Sequence, residues 1–266
     1  MTTLCEAALA VLATAGAAEK CRLTEGFAAD WASGRIAMVG AARPPSRPAR
    51  PLRPVLLPPR EMPKRAYGGA GGRIALLHAL AHIELNAIDL AWDILCRFPG
   101  EAMPREFYDD WVHVALDEAR HFILLEDLLG GLGAAYGDLP AHDGMWQAAE
   151  KTAGDLMARL ALVPMTLEAR GCDTTPETIR RLERNGDRDT PPALDVIYRD
   201  EIGHVGAGVR WFAFLAERRG LDPARAYRDY LGRLFPGGLK PPFNHAARAE
   251  AGMPRAWYEP LARAAG

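Results

Sequence analysis

The sequence predicts an all-α protein built on a four-helix bundle with one long crossover, extended by N-terminal helices and a Pro/Arg-rich strap. Three observations carry this prediction. Apolar residues recur at three-to-four spacing over long stretches, which is the helical period. Pro, Gly and capping residues punctuate the chain into segments of about 25 residues, whereas strand-like alternation is scarce. The 266 residues are 49% hydrophobic, enough for a sizeable core in one large domain or two small ones.

In chain order, Leu4, Ala7, Ala8, Val11 and Leu12 share a helical face, and helix is expected to about residue 33, where Gly34 offers a stop. This apolar start differs from a secretory leader: no Lys or Arg precedes it, Glu6 interrupts it and no convincing cleavage site closes it. From Pro44 to Pro63 the prolines exclude helix and central strand, predicting an extended strap. Residues 1–72 thus form an N-terminal helical segment and strap. The strap region carries Arg43, Arg47, Arg50, Arg53, Arg60, Lys64, Arg65 and Arg73 against Glu61 alone. A solvated strap is the favoured reading over a nucleic-acid contact, because no aromatic residues interleave the arginines to stack on bases.

Four long helices follow, at about 73–98, 104–130, 146–170 and 191–219. Pro104 and Pro191 suit first turns, Thr190 suits a cap, and Pro99-Gly100, Gly130-Gly131 and Gly220 suit ends. Residues 73–219 are therefore the bundle, and 220–266 a C-terminal helix and packed tail. That fifth helix opens with Asp222 as cap and Pro223 in its first turn, and Pro236-Gly237-Gly238 breaks it after Phe235. From Lys240 an irregular tail is expected, its Pro241–Asn244 turn and the aromatics Trp257 and Tyr258 packed across the bundle.

Thirty-two Lys and Arg against 34 Asp and Glu favour no particular class of partner. Cys5, Cys21, Cys96 and Cys172 stand far apart without a C-x-x-C pair, which fits free thiols in the reducing cytoplasm. No uninterrupted apolar run reaches the roughly 18 residues of a membrane span, so a soluble protein without a membrane partner is expected.

The chemistry resides in Glu118-Ala-Arg-His121 and Glu201-Ile-Gly-His204. Three residues apart on a helix, a carboxylate and an imidazole share one face. One such pair arises often by chance. Both copies, however, lie in apolar stripes, with Trp111, Val114, Leu125 and Leu128 around the first and Val205, Gly208 and Trp211 near the second. Buried carboxylates beside buried imidazoles are costly unless paired or metal-bound. The other two helices each place a lone carboxylate in a greasy stripe: Glu84 among Leu77, Leu80, Ile88 and Ala91, and Glu168 among Met157, Leu160, Ala161 and Met165. In chain order the helices offer Glu, Glu-x-x-His, Glu, Glu-x-x-His, the inventory of a two-metal carboxylate bundle. Glu84 precedes Glu118 by 34 residues and Glu168 precedes Glu201 by 33, so the two halves repeat one helix-pair design. The 50 residues from Glu118 to Glu168 contain the crossover.

With these motifs, and with His78-Ala-Leu-Ala-His82-Ile-Glu84-Leu-Asn86, Asp117-Glu-Ala-Arg-His121, Asp200-Glu-Ile-Gly-His204 and Pro242-Phe-Asn244, the chain resembles the ferritin-like di-iron carboxylate proteins. It resembles more closely an uncharacterised bacterial family within that superfamily. The bundle likeness covers 73–219 and the family likeness nearly the whole chain. The resemblance implies two iron ions, or manganese or a mixed pair. It makes Glu84 and Glu168 terminal ligands, Glu118 and Glu201 bridges, and His121 and His204 ligands to one ion each. In related enzymes an aspartate before the motif's Glu orients a ligating histidine, which would be the role of Asp117 and Asp200; the alternative is an exposed Asp. The implied activity is an oxygen-activating oxidase or hydroxylase taking dioxygen, an unidentified substrate and an electron donor. Likeness to di-iron hydroxylases, one of which acts on modified tRNA, puts hydroxylation first. Iron handling by a ferroxidase and a metal-stapled binding protein without catalysis stand as alternatives. Storage ferritins are little more than the bundle, whereas this chain adds about 70 residues before it and about 45 after.

Four further expectations concern residues around this site. His78 and His82 share a face, and helical phase points His82 almost opposite Glu84, so both are expected to be packing residues or polar residues behind the ligands rather than ligands themselves. Tyr198, one turn before Glu201, is a weaker candidate for hydrogen bonding to a ligand or relaying an electron. Pro164 should kink its helix one turn before Glu168. Gly203, Gly206 and Gly208 permit close packing or leave room for a small ligand.

Overall fold

The computed structural model describes residues 2–63 and 66–263; the strap residues Lys64 and Arg65 lie outside them. Among the described residues the secondary structure is helical with two isolated bridges and no strand, as the all-α prediction requires. The chain divides into two compact units, Met1–Gln147 and Ala148–Gly266.

In the first unit, the expected N-terminal helix is two: α1 (Leu4–Ala13) and α2 (Ala17–Ala32). Thr3 and Glu6 form a capping box at α1, satisfying donors that a helix start leaves open. The long α3 (Ala70–Arg97) and α4 (Arg105–Gly131) pack along one another, α1 lies on α3 and α2 on α4. Lys20 of α2 is buried and pairs with buried Asp89 of α3, and Trp92 donates to Thr24 at 2.9 Å. Over an 18-residue window α3 has a mean hydropathy of 1.4, yet 78% of that window is buried, which makes it a core helix.

The strap is tied down by its backbone. Ala49 N–H donates to Leu12, Leu57 to Ala141 and Ala141 to Val55. Arg47, Arg53 and Arg60 are exposed, Arg47 pairing with Asp143 and Arg60 with Glu61, while half-buried Arg50 donates to Asn86 at 2.5 Å. Part of the positive stripe, Arg47 and Arg50, therefore ties the strap to the rest of its unit.

The helix expected at 146–170 is interrupted and prolonged. After α5 (Gly144–Lys151) the chain restarts at α6 (Leu156–Leu162), capped by Asp155. A π-helical turn, Val163–Glu168, follows and leads directly into α7 (Ala169–Arg184). Pro176 reads as a breaker, but the carbonyl it cannot engage, that of Cys172, accepts from Asn244 Nδ2 at 3.2 Å, so α7 continues. The long α8 (Thr190–Arg218) lies against α6, the π turn and α7. Its N-cap position is Asp189, and the Asp187 side chain accepts from Thr190 N–H at 3.0 Å, so that Thr190 is already helical. Asp222 caps α9 (Pro223–Leu234) as expected. The tail is more regular than its prolines suggest, with short helices α10 (His245–Glu250) and α11 (Arg255–Tyr258).

Candidate metal centre

Each unit carries three of the six expected ligands. In the first, α4 turns Glu118 and His121 to one face, and α3 brings Glu84 to meet them. All three are at most 3% exposed, and each offers a ligand atom within 4.8 Å of the others. Nδ1 of His121 stands 3.5 Å from Oε2 of Glu84 and 3.6 Å from Oε2 of Glu118. That oxygen of Glu84 is buried without a hydrogen bond, a costly state for a carboxylate away from water. Burial first, then the neighbouring Glu118 carboxylate, push the Glu84 carboxyl well above its ordinary range. Burial works against a charged His121, but the two carboxylates override it and raise its pKa. A divalent cation would compensate both acids at once, and two carboxylates with an imidazole are a mixed oxygen and nitrogen donor set of the kind that divalent metals accept.

In the second unit, Glu168 ends the π turn, 8% exposed, and α8 carries Glu201 and His204, with Nδ1 of His204 3.8 Å from Oε1 of Glu201. The wide turn answers Pro164. Beyond the proline, Thr166 Oγ1 donates to the Ala161 carbonyl at 2.7 Å, and the buried Tyr227 hydroxyl donates to that of Met165 at 3.2 Å. Single-turn π geometry recurs at functional sites because it re-aims one side chain; here that side chain is Glu168. The expected simple kink is thus a widened turn. Gly208 lets α8 approach it: a Cβ there would stand 2.7 Å from Pro164 Cβ. Gly203 and Gly206 have no such close neighbour, so the close-packing expectation holds at Gly208 alone.

The supporting residues are distributed as follows. Asp117 is buried, pairing with His113 and Arg120 of its own helix, each at 3.3 Å, and Asp200 is half-buried. The Tyr198 hydroxyl accepts from Asn244 Nδ2 at 2.8 Å. That same amide group serves Cys172, which binds Tyr198 to the tail. Burial, then Glu201, raise the Cys172 thiol and keep it protonated. All four cysteines are buried free thiols.

His78 and His82 hold the loop after α4. Nε2 of His78 accepts from Gly137 N–H at 2.9 Å and Leu139 N–H at 3.4 Å. His82 donates from Nε2 to the His142 carbonyl, leaving Nδ1 to accept from Tyr136. Sequence reasoning missed the partners of two buried cations: Lys20, held by Asp89, and Arg248, whose fork grips Asp173 at 2.9 and 2.7 Å. In each case a charge in an apolar stripe was the available signal, but its partner is remote in sequence.

Fold and site define an all-α protein with a carboxylate–histidine group able to hold a metal ion. The family model described as "Protein of unknown function (DUF455)" matches residues 13–259, and the chain belongs to that family. It is also similar to a protein of Haemophilus influenzae described as "Uncharacterized protein", with 41% identity over 210 residues, 77% of this chain and 73% of the relative. No solved structure matches.

Proposed function

We propose that Glu84, Glu118, His121, Glu168, Glu201 and His204 serve one dinuclear metal centre, with iron as the first candidate and manganese or a mixed pair as alternatives. The protein is then an oxygen-activating oxidase or hydroxylase of the ferritin-like di-iron class. The observation that carries the reading is the buried Glu84–Glu118–His121 group and its counterpart of the same residue types on the π turn and α8. Iron held in such a set supplies the redox chemistry for dioxygen reduction. The chain's own part is to fix the ligand geometry and keep the group from bulk water; Asp117 and Asp200 are the candidates to orient the ligating histidines. An electron donor and an organic substrate complete the reaction.

The test is anaerobic titration of the full chain with ferrous iron, followed by oxygen. Two ions per chain with oxygen uptake are expected, and Glu118→Ala and His204→Ala should each lower the stoichiometry. Retention of two ions by both variants would remove the ligand assignment. Continued oxidation of excess ferrous iron to a mineral would instead identify an iron-handling protein.

A further inference from the structure

A second concave site in the Ala148–Gly266 unit has nothing to do with the carboxylate–histidine motifs and does not depend on the metal reading. A cleft of about 210 Å³ opens between the π turn, the start of α7, the end of α9 and the C-terminal tail. Its wall is unusual in charge. Arg170, Lys240, Arg248 and Arg263 line it, with Asp173 as the only acid among the described lining residues. The chain as a whole is slightly acidic, with a formal net charge of −2, so this concentration of cations is local. Asp173 is engaged by both arms of the Arg248 fork and stands 3.7 Å from Arg170 Nη1, so one carboxylate answers both arginines, while Lys240 and Arg263 face the cleft without one.

Backbone carbonyls hold the Arg170 and Arg263 side chains and the segment that bears Lys240. Arg170 Nη1 donates to the carbonyls of Lys240 at 2.7 Å and Pro242 at 3.0 Å, which fixes the strand of tail that bears Lys240. A parallel bridge joins Leu239 to Ala262: Leu239 N–H donates to the Leu261 carbonyl and Arg263 N–H to that of Leu239, each at 2.8 Å. Arg263 then donates from Nε to the Gly238 carbonyl and lies across Gly237, where any Cβ would collide with its guanidinium. Neither Lys240 nor Arg263 has a carboxylate partner among the described residues. Like charges gathered in a concave, partly desolvated wall repel each other, and an anion entering between them relieves that repulsion and gains charge-assisted hydrogen bonds. The guanidinium and ammonium donors suit the tetrahedral oxygens of a phosphate group. Phe235 and Phe243, both half-buried, contribute the apolar part of the wall, and the volume exceeds what a bare phosphate fills.

We infer that this cleft binds a small phosphomonoester with an apolar or aromatic body, its phosphate held by Arg170, Lys240 and Arg263 and its body against Phe235 and Phe243. The experiment is calorimetric titration of the purified full chain with phenyl phosphate, inorganic phosphate and phenol. Saturable binding of phenyl phosphate is expected, tighter than phosphate and with phenol not bound. Lys240→Glu and Arg263→Glu, both exposed side chains, should each weaken it by about tenfold or more, with Lys240→Arg close to the parent. Arg225→Glu, which makes the same change in net charge at an exposed position of α9, should bind as the parent does. No saturable binding by the parent, or parent-like affinity in both charge reversals, would overturn the assignment. So would equal weakening by Arg225→Glu, which would mean attraction by diffuse charge. Equal affinity for phosphate and phenyl phosphate would overturn the aromatic part.

Discussion

The imidazole of His82 illustrates how one side chain's role follows from its neighbours. It is buried, and its two nitrogens are committed to Tyr136 and the His142 carbonyl in the neutral form. Burial first, then the positive charge of Arg50, pull its pKa from 6.5 down to about 4. Between those values the unfolded chain binds a proton that the native chain does not, so this residue's contribution rises with pH and is lost on acidification. The full span is worth about 3 kcal/mol. Denaturant unfolding at pH 4.5 and 7 should therefore show a smaller acid loss in His82→Gln than in the parent, since Gln does not titrate. Equal losses would mean that His82 is charged in the native state or plays no such part. Buried charges elsewhere follow the rule that they are kept only when paired: Lys20 with Asp89, Arg97 with Asp93, Arg248 with Asp173. The presence of charged residues in apolar stripes was legible in the sequence. Their partners were not, because pairing across helices depends on rotation and register that no local pattern specifies.

At the scale of elements, the long helices α3, α4 and α8 lie within a few residues of their expected limits, because each presents an apolar stripe and ends at residues that cannot continue a helix. The third expected helix is where local reading failed. Asp155 starts a new helix inside it, Pro164 widens it, and it runs on past residue 170 and through Pro176, where Asn244 from the tail takes up the freed carbonyl. Proline's effect on a helix depends on whether a distant group satisfies the orphaned oxygen. The closeness of α8 to the π turn depends on Gly208. Gly208→Ala should cost about 1–3 kcal/mol through overpacking against Pro164, read as a lower midpoint in thermal or denaturant unfolding. Gly203→Ala, with open space around it, should be neutral or slightly stabilising, as expected of alanine in a helix. Equal midpoints for Gly208→Ala and the parent would show that the turn yields without cost.

At the scale of the whole molecule, a metal that binds the native chain and not the unfolded one must raise its stability. At a hundredfold excess over Kd the gain is about 2.7 kcal/mol, or roughly 5–10 °C in Tm for a chain of this size. Ferrous iron under anaerobic conditions should therefore raise the melting temperature and a chelator reverse the rise, with Glu84→Gln showing a much smaller response. A Tm indifferent to iron, manganese and chelator would argue against a resident metal. The sequence by itself determined the all-helical class, the limits of the long helices and the six ligand candidates, since periodicity, breakers and a repeated Glu, Glu-x-x-His order are local or additive signals. The tertiary structure decided which candidates meet within a unit, as Glu84 does Glu118 and His121, that Glu168 sits on a π turn, and that a tail residue completes α7. It also brought Arg170, Lys240 and Arg263 to one cleft. Each of these is a convergence of residues far apart in the chain, fixed by packing and by the need to satisfy buried polar groups rather than by any pattern along the sequence.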